Sequence, residues 1–508
     1  MSTTPAFDVI VVGFGPTGAT LAAQLGLRGV RVLVIDRAPG IYQKPRAFAL
    51  DHEVQRIFQN IGVMRAIEAY IAPFTDSEYY GADGQLIKRF ANMAPPYPQG
   101  YVPSVVFTQP PVEAALRARV RAIPGVTVRL SVTFIGFEPT LDGVAVRLRT
   151  DDGAIEPVLA RYLVGADGAS STVRQLAGIE LDDLAFDEPW LVVDVRVNEH
   201  GTAKLPKVCL QCCEPERPAT YLIGVGNHRR WEIMLNPDEA AIEHLSDAQV
   251  WSLLSRWITP ADGELWRHAS YRFHALVARQ WRNGAVFVAG DAAHQQPPFT
   301  GQGMCQGVRD ATNLGWKLAA VMHGRAGPAL LDTYAAERSR HVTHLTSVIK
   351  QIGQLICERD LVRARARDAA LIAAAGGAIP TTTRQELIPP LEAGLIADDG
   401  HAANGRLFPQ PRITPDGRLL DEIAAPGWRI VSVNADVRAD HCIDQQMDVR
   451  DVTIGPAGLR EADGVVAAWF DRFQCTAAIV RPDHYVYGVA TDCASLTQQL
   501  DQLAIRLQ

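Results

Sequence analysis

Three clusters of residues in this chain have types and spacings suited to holding a phosphorylated nucleotide. In "GFGPTG", Gly13, Gly15 and Gly18 make a G-x-G-x-x-G spacing that encloses Pro16, and Asp36-Arg37 closes the run "VRVLVIDR" that follows. In such a turn the first glycine permits a tight bend, the second lets backbone approach a pyrophosphate, and the third lets a helix pack on the preceding strand. An acid placed like Asp36 accepts hydrogen bonds from a ribose. The second cluster is Gly165, Asp167 and Gly168 in "YLVGADGASSTVR". The third runs from Gly290-Asp291 through Pro297-Pro298 to Gly301, Gly303 and Met304 in "VAGDAAHQQPPFTGQGM".

The elements that must position these groups show in the flanking apolar runs. "DVIVVG" is continuous enough for a strand buried on both faces, and "GATLAAQLGLRG" predicts a helix whose N-terminal amides face the phosphates. "VRVLVID" is a second strand. The runs Tyr162 to Val164 and Val286 to Ala289 are two more, each delivering a glycine-acid turn at its carboxyl end. A dehydrogenase needs only the first unit. Further cradles imply a cofactor that extends far from its adenosine, as a flavin does. A helix beginning near Gly303 and Met304 aims its positive end at the pyrimidine edge of an isoalloxazine, where negative charge gathers on reduction. Asp291 is then placed for the ribityl chain, and the nucleotide is the AMP half of FAD.

In their order and spacing the three motifs resemble the single-component FAD-dependent aromatic hydroxylases, the group of p-hydroxybenzoate hydroxylase and phenol hydroxylase. The resemblance covers residues 7 to about 350. "YQKPRAFALDHEVQRIFQNIG", "CCEPERP" and "GQGMCQGVRDATNLGWKLA" are similar to the 3-(3-hydroxyphenyl)propionate hydroxylase branch. The resemblance implies an α/β architecture: a Rossmann-like FAD-binding domain, an inserted, mostly antiparallel substrate sheet, and a small C-terminal thioredoxin-like domain. The expected bounds are 1–180 with 276–390 for the FAD domain and its helical extension, 181–275 for the sheet, and 395–508 for the last domain. It implies FAD as prosthetic group and NADH or NADPH as transient reductant, since no second complete G-x-G-x-x-G unit exists to retain a nicotinamide. Dioxygen and a small aromatic substrate complete the set, with a phenolic ring hydroxylated through a flavin hydroperoxide.

Residue by residue, the resemblance places Arg46 of "PRA" and Gln109 of "FTQPPVEAALRARV" at the flavin. Asp167 serves FAD and nicotinamide, Asp291 the ribityl region, and Pro298 lies over the flavin beside the substrate. In the phenol hydroxylase branch an aspartate acts as base shortly after the arginine segment, but Phe48 stands at that position here. The base is therefore unassigned, with Asp51 and His52 as candidates for proton handling against a structural reading of the same residues. Phe48, Arg230 and Trp231 are candidate substrate contacts; an arginine in that sheet could pair with a substrate carboxylate, although an exposed sheet arginine is the plainer reading. Three rival functions stay open: a hydroxylase of the same fold acting on a polycyclic, polyketide or antibiotic substrate, a flavin reductase or sensor without oxygenation, and a non-catalytic NAD-binding scaffold.

The remaining sequence narrows the class further. Hydrophobic content of 47%, charge of 21% and a net charge of −7 suit a globular protein and argue against nucleic acid or an anionic membrane as partner. No run is long and apolar enough to span a bilayer and no signal peptide is evident, so a cytoplasmic location is expected. The eight cysteines are scattered. Cys209 and Cys212 form a C-x-x-C with no second pair at zinc spacing, which predicts buried thiols and no metal. His341 and His344 are expected on a solvated helix face. Past residue 395, "WRIVSVN", "VVAAWF" and "TAAIVRPDHYVYGVA" are expected as short strands before a final helix. That domain lacks a C-x-x-C, so fold support or contacts in a homodimer are its expected roles.

Overall fold

The computed structural model describes residues 6–242, 244–433, 437 and 448–508. Its first sheet sets Phe7–Val12 between Val32–Asp36 and Ile155–Gly165, with Val286–Val288 beyond the latter, and all these neighbours run parallel. Val12 is in register with both Ile35 and Gly165, and Gly165 with Val288. The three nucleotide motifs therefore leave the sheet at one carboxyl edge, where open α/β sheets bind their ligands. Val9, Ile10 and Val11 are fully buried. The helices Pro16–Gly26 and Gly303–Met322 approach each other so closely that a Cβ at Gly307 would meet Thr17 Oγ1 at 2.3 Å and one at Gly315 would meet Gln24 Cβ at 2.9 Å.

A second sheet of nine strands stands beside the first, in the order 294–295, 263–278, 181–197, 228–234, 219–223, 209–212, 77–80, 86–91, 381–383. It is wider than the 181–275 stretch expected from sequence. Ser77–Tyr80 and Leu86–Ala91 come from the N-terminal part of the chain, and Thr381–Thr383 returns to the edge after the long helices. The two joins that bring in distant chain, Cys209–Cys212 with Ser77–Tyr80 and Thr381–Thr383 with Leu86–Ala91, are parallel, whereas the rest of the sheet is antiparallel.

The C-terminal unit holds four strands in the order 450–453, 429–432, 477–480, 486–490, the third antiparallel to both neighbours. "VVAAWF" is not a strand: it lies in the helix Val465–Phe473, bounded by left-handed Gly464 (φ 69°) and Gln474 (φ 51°). A short apolar run does not by itself separate a strand from a buried helix, and these two flanking turns decide it here. His341 is a second correction. The helix Asp332–Ile356 packs on both sides, so His341 is buried while His344 stays on the exposed side, 3.5 Å from Glu392. Cys209, Cys212, Cys213, Cys305 and Cys475 are buried, Cys357 is half-buried and Cys493 exposed; Cys442 lies outside the described residues. Among the described residues no helix is long and apolar enough to cross a membrane.

Buried ion pairs weld the C-terminal unit to the rest. Glu337 accepts from Arg481 at 2.7 Å and from Lys317 at 2.7 Å, and Asp421 accepts from Arg56 at 2.7 Å and from Arg429 at 2.6 Å, all with fully buried side chains. Glu337 also accepts from Asn313 and from the Leu395 amide. Replacing Glu337 by Ala leaves Lys317 buried without its acid and Arg481 with Asp483 alone, a change that costs about 3–5 kcal/mol. Glu337→Ala is expected to lower the thermal midpoint clearly, and scanning calorimetry checks this; an unchanged midpoint would contradict the weld.

Candidate active site

The glycine turn is tied to its acid. Asp36 Oδ2 accepts from the Phe14 amide at 2.9 Å and Oδ1 from the Ala38 amide at 2.8 Å, so strand and turn hold one geometry. Gly13 has φ 102°, and a Cβ there would lie 2.3 Å from the Ala166 carbonyl oxygen; one at Gly18 would lie 2.0 Å from the Gly13 carbonyl oxygen. Gly15 differs. Its backbone is ordinary for a residue before proline (φ −72°, ψ −177°), and a Cβ would meet nothing within 4 Å. The fold does not need glycine at this position, whereas a phosphate approaching the helix start at Pro16 does. Arg37, next to Asp36, is exposed.

Gln109 opens the helix Gln109–Arg121, and its side-chain oxygen accepts from the amides of Arg46 at 3.0 Å and Ala47 at 2.7 Å. Its other end donates to Glu113, which pairs with Arg117 at 2.7 Å, and Arg117 lies 3.7 Å from Asp36. A buried relay thus joins the acid of the glycine turn to the "PRA" loop. Arg46 is exposed, but no ordinary surface residue: its amide and its carbonyl, which accepts from Arg230, are both fixed, and its guanidinium lies 5.5 Å from the Tyr42 ring centre. Arg117 Nε and Nη1 are buried without partners beside Asp36. Orphaned donors of this kind, together with the open face of Gly15, are what a dinucleotide diphosphate with its ribose would satisfy.

Ser171 caps the helix Thr172–Leu176 through the Arg174 amide, and Asp167 braces the same turn, accepting from the Val173 amide at 3.1 Å and from the Ser171 hydroxyl. Arg174 donates to the carbonyls of Ala169 and Ala292 and so clamps the second motif to the third. Behind Gly290, Asp310 accepts from the Gly290 amide and from His294 and Arg338, which fixes that turn from below. Asp291 itself makes no hydrogen bond or ion pair among the described residues. Burial raises its carboxyl pKa although the side chain still reaches solvent, as befits a group on the floor of a cleft.

Beside the Pro298–Gly303 turn is a cavity of about 160 Å³. One wall is Arg46, Phe48, Pro298, Phe299, Gly301, Gly303 and Met304; the other is the face of the second sheet that carries Ser77, Gln211, Thr220, Leu222, Arg230 and Glu232, with Arg384 at its far side. The Gly301 amide donates to the Pro298 carbonyl at 2.7 Å, and this turn starts the helix Gly303–Met322 at the cavity edge. Gln296, whose side-chain oxygen and nitrogen both lack partners, also lines it.

Of the four other expected contacts, Arg230 lines the cavity, whereas Trp231, Asp51 and His52 do not. Arg230 is not an exposed sheet arginine: it is buried, paired with Asp194 at 2.7 Å, and its guanidinium lies 4.9 Å from the Phe48 ring. Trp231 faces away from the cavity, because alternate residues of a strand point to opposite faces; it packs with Tyr221 at 5.3 Å and Trp257 at 6.3 Å. Asp51 and His52 also lie outside the cavity lining. Asp51 caps the helix His52–Asn60 through the Val54 amide and pairs with Arg309. Burial alone would raise its pKa, but Arg309 outweighs this and holds the carboxyl below its ordinary value. Burial pushes His52 down to about 4, so it is neutral at pH 7.

The acid that does face the cavity is Glu232. It makes no hydrogen bond or ion pair among the described residues, and burial, reinforced by Asp194 and opposed by Arg230, pushes its carboxyl up to about 7. In sequence it stands two residues from Arg230, so strand alternation places both on one face.

Residues 6–348 match the family described as FAD binding domain, and residues 405–505 match the HcaD C-terminal domain. The chain belongs to the FAD-binding-domain family of flavoenzymes. Within it, the chain is an FAD-dependent aromatic hydroxylase with NAD(P)H as reductant. It is 37% identical to the probable NADH-specific resorcinol 4-hydroxylase of Rhodococcus jostii (strain RHA1), over 97% of this chain and 93% of the relative. It is 34% identical to the 3-(3-hydroxy-phenyl)propionate/3-hydroxycinnamic acid hydroxylase of Mycobacterium sp. (strain KMS), over 95% of this chain and 88% of the relative. The fold is shared with the flavin-dependent monooxygenase PieE, solved with FAD and substrate (TM-score 0.82, 22% identity, 99% of this chain and 100% of that one). It is shared also with aklavinone-11 hydroxylase, solved with FAD and aklavinone (TM-score 0.77, 24% identity, 99% of each chain).

Proposed function

We propose that this enzyme hydroxylates a single-ring phenol in the cavity between Pro298 and Glu232. The observation that carries the reading is the cavity itself: about 160 Å³, walled by Phe48 and Pro298, with one unpaired carboxyl. A cavity of roughly 150 Å³ accepts one benzene ring, which favours a monocyclic phenol over the polycyclic alternative. The names of the two relatives above, both hydroxylases of one-ring phenols, support the same choice.

When bound, FAD would supply an acceptor for the hydride of NADH or NADPH and the activation of dioxygen. The chain supplies position, shielding and a proton acceptor. Gly15 leaves room for the pyrophosphate, Asp36 takes the ribose, and Asp291 the ribityl hydroxyls. The start of the helix at Gly303 and Met304 turns its positive end toward the pyrimidine edge, and Arg46 reaches the flavin from a fixed loop, with Asp167 on the other side of the cleft. Pro298, Phe48 and Phe299 exclude water from the reacting ring. Glu232 takes the phenol proton on a carboxylate oxygen, leaving an electron-rich phenolate beside the cation of Arg230. A base near pH 7 is better matched to a phenol than an ordinary glutamate.

We place the enzyme in the cytoplasm, where its buried free thiols suit a reducing compartment. Residues 1–180 and 276–390 would form the FAD-binding domain, 181–275 the main part of the substrate sheet, and 395–508 a thioredoxin-like domain, a reading supported by its strand order. A homodimer through that last domain is compatible with it.

The test is a panel. Resorcinol and 3-(3-hydroxyphenyl)propionate should accelerate NADH-dependent flavin reduction in stopped flow, and fused polycyclic phenols should not. Acceleration by the polycyclic compounds alone would overturn the reading; equal rates with every ligand would favour a flavin reductase.

A further inference from the structure

The cavity holds a cation that the proton-transfer chemistry does not use. Arg384 follows the edge strand Thr381–Thr383, whose pairing with Leu86–Ala91 carries it over the rim of the second sheet. It is only 7% exposed and lines the cavity. Its guanidinium carbon lies 4.4 Å from the Phe74 ring centre and 5.9 Å from that of Phe90. Nη2 donates to the Ser77 hydroxyl at 2.9 Å, Nε is buried without a partner, and Nη1 has none among the described residues.

Other buried arginines are provided for. Arg56, Arg230, Arg309, Arg338, Arg429 and Arg481 each face a carboxylate. Arg174 and Arg229 each donate to two backbone carbonyls. Arg384 has one neutral hydroxyl and no carboxylate within 4.0 Å among the described residues. A buried charge without a counter-ion is strongly unfavourable, so a guanidinium kept here with a free donor on the substrate cavity fits an acid that arrives with the ligand. Resting on the single-ring phenol reading, we propose that Arg384 binds a carboxylate on the substrate's side chain, making the substrate a phenol with a short acidic arm.

The layout of the sheet fits such a molecule. Glu232, Thr220 and Gln211 stand in register on adjacent strands, and the strand of Ser77 comes next. Gln211 stands opposite Tyr79, two residues from Ser77, so Glu232 and the Ser77–Arg384 pair are separated by three strand spacings and two residues along the strand, about 16 Å at the backbone. A ring with its hydroxyl at Glu232 and an arm of two or three carbons toward Arg384 bridges the two groups. Resorcinol, which has no acid, would leave Arg384 unanswered.

The test measures binding, not turnover, so that it stands apart from the hydroxylation reading. By titration calorimetry on the FAD-loaded protein, 3-phenylpropionate is expected to bind about 10- to 100-fold more tightly than 3-phenylpropanamide, the range for a charge-assisted contact. Arg384→Met should bring the two ligands within about threefold, and Arg384→Lys should retain part of the preference, with flavin absorbance reporting that each variant is folded. Equal binding of acid and amide to the unmodified enzyme would overturn the proposal without any variant, as would a preference that survives in Arg384→Met. A clear acid preference in a protein that hydroxylates no phenol would uphold the carboxylate site and overturn the hydroxylation reading instead.

Discussion

Glu232→Gln is expected to lower kcat/KM for phenol hydroxylation by about 10²–10⁴-fold, the range contributed by a positioned general base. FAD content should not change, because Glu232 lies on the substrate side of the cavity. The pH profile carries the sharper signature. The carboxyl is pushed up to about 7 by burial, with Asp194 adding to the shift and Arg230 opposing it. Its base form is therefore present above that pH and lost below it, so the unmodified enzyme should gain rate as pH rises through about 7. The variant should show no such limb. Arg230 and Arg384 also face the cavity, but their guanidinium groups stay charged throughout this range and cannot produce it. Ring-fluorinated phenols, which ionise more readily, should recover part of the variant's loss. A Glu232→Gln enzyme within about fivefold of the original at every pH would remove Glu232 from the chemistry.

Gly15→Val is expected to give a folded but colourless protein. The side chain meets no protein atom within 4 Å of its Cβ and the backbone angles are open to any residue, so the fold is spared. The added methyls instead fill the space a pyrophosphate must enter. Valine at Gly13 or Gly18 should behave differently, because a Cβ there strikes backbone at 2.3 Å or 2.0 Å and folding itself should suffer. Absorbance in the flavin bands, read against circular dichroism, separates the two outcomes. Full flavin occupancy in Gly15→Val would move the diphosphate elsewhere.

The flavin cleft is legible in the sequence because each of its parts is local. A glycine turn, its strand and its acid lie within some thirty residues, and the constraints act through backbone geometry rather than distant side chains. The substrate end is far less so. In "RRWEIMLN" the pair Arg230 and Trp231 stands out as neighbours, yet a strand sorts residues by two, which sends Trp231 into the sheet's other core and brings Glu232 to the cavity. That much the strand period alone can show. Arg384 is beyond reach, since its position depends on chain returning from the helices to an edge strand built by residues 86–91. Asp51 and His52 mislead for a related reason. Their spacing after the "PRA" loop suggests proximity to the substrate, but the helix they begin turns them toward Arg309 and the protein interior.

The reaction proposed is transfer of one oxygen atom from dioxygen to a single-ring phenol at the expense of a nicotinamide. Turnover of 3-(3-hydroxyphenyl)propionate with NADH under isotopically labelled dioxygen, followed by mass spectrometry of the product, tests it most directly. One labelled oxygen on the ring is expected for each NADH consumed, with little hydrogen peroxide. NADH consumed into peroxide with an unlabelled, unchanged phenol would contradict it.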